Sequence, residues 1–340
     1  MPLATLFDPA IYLSLAFLFG VAAQFRAMDG YAFLRRLLAA LEPRLGILFA
    51  VALLTFVVSP FILNDVLVLI LTPALIKYAK QYRLDAAPLI VAEITFTNIS
   101  SSLTPIGNPQ NILLWTSSGV GFSAFVEGTW PFVLASAAIG AAALVPLALR
   151  LKGPREPGGP VGSLAPAFYL TLVTLVVLVA DAFGLASYVS LGIGFAAGFL
   201  FNRRNLMRVG LEYDVRALLT LCVFVASITV VSYFLLPELV PYVLPAARGD
   251  QPYSGLFMGV VSNFISNVPA TQLLINTSGV TAAVAPKIAA IAGLAGNLGP
   301  IASFANLLAL QMAARSGVSV KRTIGLQFMV GVLAFIPALL

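Results

Sequence analysis

Serine and asparagine side chains recur at matched positions inside apolar stretches of this 340-residue chain. Residues 57–64 have the sequence VVSPFILN, and residues 260–267 have the sequence VVSNFISN. A second matched pair follows, with LTPIGNPQNILL at 103–114 and LGPIASFANLLA at 298–309. Amide and hydroxyl groups can donate hydrogen bonds to an anion and supply oxygen ligands to a small cation. These residue types therefore favour reversible binding of a small ion or polar molecule.

The second matched pair lies on two helices that must be interrupted. The stretch 97–111, TNISSSLTPIGNPQN, contains Pro105 and Pro109, and proline in a helix removes a hydrogen bond and clashes with the preceding turn. The stretch 293–306, GLAGNLGPIASFAN, is broken by two glycines and a proline. Unwound backbone frees its polar groups: helix N-termini favour anions, and carbonyl oxygens favour small cations.

Two carboxylic acids are predicted to lie deep in apolar segments. Asp65 directly follows the first Ser/Asn stretch, and Glu93 precedes the first break by about one helical turn. An acid inside a membrane is costly in its charged form, so such a group can exchange a proton or bind a coupling cation. The alternative for Asp65 is capping of a helix that begins near Val66. The alternative for Glu93 is a satisfied polar contact.

The composition predicts an integral membrane protein, because 60% of the residues are hydrophobic and only 9% are charged. We predict an all-α polytopic membrane protein with an inverted repeat, two re-entrant hairpins and two broken transmembrane helices. The hairpins are predicted at 46–80 and 255–279, and the broken helices at 86–118 and 282–315. Further crossing helices are predicted at 8–25, 128–150, 165–183, 186–202, 214–236 and 321–340.

The Gly/Pro-rich stretch 151–164 is predicted to be a cytoplasmic linker between two repeats, 1–150 and 165–340. Every lysine and arginine except Arg248 and Lys287 then falls in a predicted cytoplasmic segment, as the positive-inside tendency requires. These segments are 26–45, 77–85, 150–164, 203–216 and 315–322. Both termini are predicted to be extracytoplasmic, and the chain is predicted to be a multi-pass protein of the inner or plasma membrane.

Several function classes are disfavoured by composition. The chain has one cysteine and no histidine, which excludes an internal disulfide and removes the commonest metal ligand and catalytic base. We expect no cofactor, no metal beyond Na⁺ as a coupling ion, and no enzymatic activity. The basic residues lie in short clusters between apolar spans, so we expect membrane lipids and a small inorganic ion as partners, and no nucleic acid. No phosphate-binding loop for ATP is present in the sequence.

The residues FVVSPFILNDVLVLILTP, followed by TNISSSLTPIGNPQNIL and a second SNFISNVPAT stretch, resemble the ion transporter superfamily. This superfamily includes ArsB-type arsenite pumps, NhaD-type Na⁺/H⁺ antiporters, citrate transporters and divalent anion/sodium symporters. The resemblance implies a homodimeric elevator-type carrier, in which the hairpins and broken helices hold the substrate and the coupling ion. It also implies an ATPase partner if the chain is ArsB-like.

Together with the breaks and acids, the resemblance defines two sets of candidate site residues. The substrate-binding candidates are Asn64, Thr104, Asn108, Asn111, Asn267, Thr271 and Asn306. The ion-coupling candidates are Ser59, Asp65, Glu93, Asn98, Gly107, Ser262, Ser266 and Asn297.

The first hairpin tip, Asn64-Asp65-Val66, differs from the Ser-Asn-Thr tip of dicarboxylate symporters and is more similar to arsenite-pump and proton-coupled members. We therefore expect a secondary active transporter for a small inorganic anion or metalloid oxyacid, arsenite-like, coupled to H⁺ or Na⁺. A Na⁺/H⁺ antiporter is the second reading, and a citrate or dicarboxylate symporter the third. The absence of a predicted buried Arg or Lys argues against a multivalent carboxylate. A channel or an intramembrane enzyme fits the unequal acids and the residue types less well.

Overall fold

The computed structural model describes residues 9–151, 163–277 and 280–340. Within these ranges the chain forms α-helices and two short 3-10 helices, Ser59–Phe61 and Ile336–Leu339, without a β-strand. The α-helices are α1 (Pro9–Ala27), α2 (Gly30–Leu45), α3 (Ile47–Val58), α4 (Asn64–Gln81), α5 (Ala86–Ser101), α6 (Pro109–Ser118), α7 (Phe122–Ala148), α8 (Ala165–Ala182), α9 (Ser187–Phe201), α10 (Leu206–Glu212), α11 (Val215–Ala247), α12 (Tyr253–Ile265), α13 (Asn267–Ile275), α14 (Ala285–Ala295), α15 (Phe304–Arg315) and α16 (Val320–Phe335).

Each Ser/Asn stretch joins two helices. The first lies between α3 and α4, where the 3-10 helix is followed by two extended residues. The second lies between α12 and α13, which are separated by Ser266 alone. Residues 278–279, at the end of the predicted second hairpin, lie outside the described residues, as do residues 152–162 of the predicted linker.

Both predicted helix breaks are present. The first break, residues 102–108, separates α5 from α6, and the second break, residues 296–303, separates α14 from α15. Pro109 occupies the first position of α6, where its missing N–H costs no hydrogen bond. Asn108 caps the same helix, because its side-chain oxygen accepts a hydrogen bond from the Asn111 backbone N–H at 3.0 Å.

Two helices were not predicted, and one predicted boundary is wrong. Segment 26–45, predicted only to be cytoplasmic, contains α2, which buries Phe33, Leu34 and Leu38 and exposes Arg36 and Arg44. Segment 203–216, also predicted only to be cytoplasmic, contains α10. Helix α2 carries too many charges for a crossing segment, and α10 is too short to cross because it has only 7 residues. The helix predicted at 214–236 continues to Ala247, because its last turns pack into the core.

Packing between the two halves is reciprocal. Helix α3 packs against α5, as α12 packs against α14. Helix α4 contacts α15 in the other half, and α13 contacts α6. Helix α7 packs against α14, and α16 packs against α5. The helices on either side of the Ser/Asn stretches and of the breaks thus form one core, with α1, α8 and α9 packed together beside it.

Two described helical segments, Phe122–Ala148 and Val320–Leu339, are long and apolar enough to cross a membrane by themselves. Six shorter apolar helices, such as Ile47–Phe61 and Ala285–Ala295, accompany them. Ile47–Phe61, Tyr253–Ile265 and Ala285–Ala295 each end at an interruption, which divides a span into shorter helices.

Candidate functional site

The first Ser/Asn stretch is bonded to the first break. The Asn64 backbone N–H donates a hydrogen bond to the Gly107 carbonyl at 3.0 Å. The Thr104 hydroxyl donates to the Pro60 carbonyl, and the Ser59 hydroxyl donates to the Thr97 carbonyl at 3.2 Å. These bonds join the first Ser/Asn stretch to the break and to α5, and the Gly107 carbonyl is available because the helix is interrupted there.

The second Ser/Asn stretch repeats the main-chain contact. The Asn267 backbone N–H donates to the Ala302 carbonyl at 3.0 Å. Sequence alignment of the two halves pairs Asn64 with Asn267 and Gly107 with Ala302, so these are equivalent hydrogen bonds. Ser266 has φ 71° and ψ 159°, a region that non-glycine residues rarely adopt. The second hairpin therefore turns through a strained serine.

Each break is closed by one asparagine that donates to two carbonyls. The Asn111 side-chain amide donates to the Ser101 carbonyl at 3.1 Å and to the Thr104 carbonyl at 2.7 Å. Its counterpart Asn306 donates to the carbonyls of residues 296 and 299 at 2.6 and 2.8 Å. Free carbonyls at a helix break need such partners, so both halves use the same solution.

Asn98 joins the two breaks. Its side-chain amide donates to Asn297 Oδ1 at 3.1 Å and to Asn306 Oδ1 at 3.0 Å. The alignment places Gly293 opposite Asn98 in the second half, and a Cβ at Gly293 would lie 1.6 Å from the Ser102 hydroxyl. The missing side chain at Gly293 therefore lets the two breaks approach closely.

Polar atoms without a protein partner are concentrated at the breaks and hairpins. Buried side-chain atoms with no hydrogen bond within the described part include Thr97 Oγ1, Asn98 Oδ1, Asn111 Oδ1, both polar atoms of Gln110, Ser262 Oγ, Asn267 Nδ2, Thr271 Oγ1, Asn297 Nδ2 and Ser303 Oγ. A buried polar group without a partner costs about 1–3 kcal/mol. Such a concentration fits a place where a bound polar molecule or ion supplies the missing partners.

The two predicted acids are both buried but have different surroundings. Glu93 accepts a hydrogen bond from the Thr72 hydroxyl at 2.8 Å through Oε2, and its Oε1 has no partner. Asp65 lies in the first turn of α4, where the helix dipole favours a negative charge. The Asp65 carboxylate does not cap the helix, since α4 has no side-chain cap and the Asp65 N–H donates to Asn64 Oδ1.

All fourteen side chains predicted for the site, and Gly107, are buried. The structure brings most of them together through the hydrogen bonds above. Glu93 differs, because its described hydrogen bond leads to α4 and not to a hairpin tip. Ser262 and Thr271 have buried hydroxyls without a described partner. Asn108 donates through Nδ2 to the Ser101 hydroxyl at 3.1 Å.

Sequence reasoning missed two residues on flanking helices that complete the breaks. Thr129 on α7 donates to the Leu103 carbonyl at 2.9 Å. Gln327 on α16 donates to the Gly299 carbonyl at 3.2 Å. The available signal was a polar side chain within an otherwise apolar helix.

Comparison with known proteins identifies the family. The sequence model of the citrate transporter family, CitMHS, matches residues 3–309, which is most of the chain. The chain therefore belongs to this family, and its resemblance to the ion transporter superfamily is confirmed.

Individual relatives agree with this assignment. The chain is 29% identical over 293 residues to inner membrane protein YbiR of Escherichia coli (strain K12), covering 81% of this chain and 71% of YbiR. It is 37% identical over 89 residues to silicon efflux transporter LSI3 of Oryza sativa subsp. japonica, covering 26% of this chain and 18% of LSI3. It is 37% identical over 77 residues to putative transporter arsB of Dictyostelium discoideum, covering 23% and 14%. These matches indicate a multi-pass membrane transporter of the citrate transporter/ArsB type.

Proposed function

We propose that this protein is a secondary active transporter of the elevator type for a small hydroxylated acid or inorganic anion, arsenite-like, coupled to H⁺ or Na⁺. The observation that carries the proposal is the junction at Asn98, which hydrogen-bonds to Asn297 and Asn306 and so joins the two breaks. Broken helices that meet at one place are how many secondary transporters build their substrate site.

The proposal includes an inverted repeat of 1–150 and 165–340, with re-entrant hairpins. Its support is the set of equivalent hydrogen bonds, Asn64 to Gly107 with Asn267 to Ala302, and the reciprocal packing of the two halves. Two oppositely oriented halves around one site allow access to alternate between the two sides of the membrane. We also propose a homodimer, as the resemblance implies.

The cargo is proposed from the groups that line the breaks. These are side-chain amides, hydroxyls and main-chain groups, which can exchange hydrogen bonds with a neutral molecule that carries several hydroxyl groups. Arsenous acid and silicic acid have this chemistry, and one relative is a silicon efflux transporter by name.

Asp65 is the proposed coupling residue. It is a buried acid beside the hairpin tip, and its counterpart in the second half is Val268. One proton or cation taken up at Asp65 would then accompany each transport cycle. A citrate symporter is the second candidate function, favoured by the description of the family. A Na⁺/H⁺ antiporter would use the same acid with Na⁺ itself as cargo.

The cargo is tested by flux into proteoliposomes containing the full chain, with imposed H⁺ or Na⁺ gradients and with arsenite, silicic acid, phosphate, citrate or Na⁺ as cargo. We expect gradient-driven flux of arsenite or silicic acid. Flux of citrate alone would replace the proposal with the symporter, and Na⁺ flux without any acid would replace it with the antiporter.

The site is tested with Asn64→Ala and Asn267→Ala. Each substitution should reduce flux at least about 100-fold, since removing buried polar partners of the cargo costs a few kcal/mol. Asn205→Ala is the matched control, because Asn205 is exposed before α10. Thermal unfolding of all three variants separates loss of the site from loss of the fold. Wild-type rates in both site variants would contradict the proposal.

The coupling role is tested with Asp65→Asn, which keeps the shape of the side chain and removes its charge. We expect flux that no longer responds to the imposed H⁺ or Na⁺ gradient, while downhill exchange of cargo persists. The measurement is flux against the size of the gradient in wild type and variant. An unchanged gradient response would exclude Asp65 as the coupling group.

A further inference from the structure

Helix α10 is a short helix that is fixed to the rest of the protein at both ends. Before it, the Asn202 side-chain amide donates to the carbonyl of Gln24 at 3.0 Å and to its Oε1 at 2.7 Å. At its end, Arg26 donates to the Glu212 carbonyl. Val209 packs against Ala23 and Ala27 of α1. The side of α10 that faces outward is therefore set by the fold.

The outward side of α10 is apolar. Leu206, Met207 and Leu211 are 55%, 76% and 82% exposed. With about 100° between successive residues, Met207 and Leu211 lie on the side of the helix opposite Val209, and Leu206 borders this side. Leu200, near the end of α9, is also 66% exposed. A large apolar arc on an exposed helix marks a membrane or protein contact.

Basic residues border this apolar arc. Arg203 and Arg204 lie in the turn before α10, are exposed, and form no ion pair with the described residues. Arg208, on α10 itself, lies 3.7 Å from Asp29 and keeps about half of its side chain exposed. Apolar side chains beside arginines are the pattern of a helix that lies in the interface of an anionic membrane.

We propose that α10 is an interfacial helix whose apolar arc inserts between lipids while Arg203 and Arg204 bind the phosphate groups of anionic lipids. The connection supports this occupant, because α10 joins the apolar helices α9 and α11. A basic side chain at a membrane surface gains from the negative potential of anionic lipids. This contact lies outside the site formed by the breaks and does not depend on the cargo.

The charge contribution is tested on the full chain in nanodiscs with graded fractions of phosphatidylglycerol in phosphatidylcholine. The midpoint of thermal unfolding should rise with the anionic fraction for wild type. The double variant Arg203→Gln/Arg204→Gln should need a higher anionic fraction than wild type for the same rise in unfolding temperature, about fivefold higher for each arginine replaced. Lys77→Gln/Lys80→Gln is the matched control, since both lysines are exposed on α4, where the described residues expose no large apolar side chain.

Two outcomes of this experiment would overturn the proposal. If both double variants lost the response of the unfolding temperature to anionic lipid equally, the effect would be a general one of net charge, without a site at α10. The same rise in unfolding temperature from inorganic phosphate in neutral nanodiscs would show an anion site instead of a lipid contact.

The apolar contribution is tested by depth measurement, which does not depend on stability. A spin label is placed at Met207→Cys in a Cys222→Ser background, and a reference label is placed at Lys321→Cys. The label at 207 should collide more with oxygen, and less with a water-soluble nickel chelate, than the label at 321. Equal accessibility of both labels to the nickel chelate would show that α10 lies in water and would also overturn the proposal.

Discussion

The two breaks make the same main-chain contacts with different side chains. Asn111 and Asn306 each hold two carbonyls of their own break, and each hairpin tip donates one backbone N–H to its break. The first break is rich in hydroxyl groups and lies beside Asp65, whereas the second has Val268 at that position and more glycine. The comparison shows that both halves satisfy the main chain of the break in the same way, whereas the first half has an acid and more hydroxyl groups and the second has Gly293, which permits close approach.

Removing the asparagine of each break should affect the second break more than the first. Asn111→Ala leaves two buried carbonyls without a partner and should cost roughly 2 kcal/mol of unfolding free energy. Asn306→Ala loses the same two bonds and also the acceptor of Asn98, so it should cost roughly 3 kcal/mol. Denaturant titration of the purified protein measures both. If Asn111→Ala were the more destabilising variant, the bond to Asn98 would not hold the two breaks together.

A Cβ added at residue 107 should destabilise the protein, although the equivalent residue of the second break is Ala302. A Cβ at Gly107 would lie 2.1 Å from the Ser101 carbonyl oxygen, which belongs to the backbone and cannot rotate away. Gly107→Ala should therefore cost about 2 kcal/mol of unfolding free energy. Gly140→Ala is the control, since a Cβ there would meet nothing closer than 3.4 Å. Equal stability of the two variants would show that the first break is as loosely packed as the control position.

The strained backbone at Ser266 predicts that a substitution there raises the unfolding free energy slightly. Ser266→Gly should raise the unfolding free energy by about 1 kcal/mol, because glycine adopts φ 71° without steric cost. Ser319→Gly is the control: Ser319 has φ −66° and its hydroxyl accepts a hydrogen bond from the Arg322 N–H at 3.4 Å, so glycine there should only destabilise. The same denaturant titration compares the two variants. Destabilisation by both substitutions would mean that the Ser266 side chain contributes more than the strain costs.

Much of the helical architecture was predictable from local rules. Proline and glycine at 105, 109, 296, 299 and 300 place the breaks where the structure has them, because those residues cannot continue a helix or weaken it. The two Ser/Asn stretches correctly marked helix interruptions. Helices α2 and α10 were missed because neither contains a long apolar run: charged residues interrupt α2, and α10 has only 7 residues.

The sequence indicated which polar residues of the candidate site are buried but not which of them hydrogen-bond to each other. Its residues were selected as polar groups in apolar segments, and the structure shows them buried. Gly293 and Gln327 were not selected, since a glycine that permits close approach carries no local signal and a single glutamine in a helix carries only a weak one. The acid at Glu93 is paired with Thr72, a contact between α4 and α5 that no spacing in the sequence indicates.

By itself the sequence determined that this protein is helical and apolar, where its helices break, and which polar groups those breaks expose. These features follow from the geometry of proline and glycine and from the cost of polar groups in an apolar medium, which act within a few residues. Only the tertiary structure decided that Asn98 bonds to Asn297 and Asn306, and that Gly293 lets the two breaks meet. The reason is physical: a freed carbonyl or amide accepts any partner of suitable geometry, and packing alone selects one from the distant half of the chain.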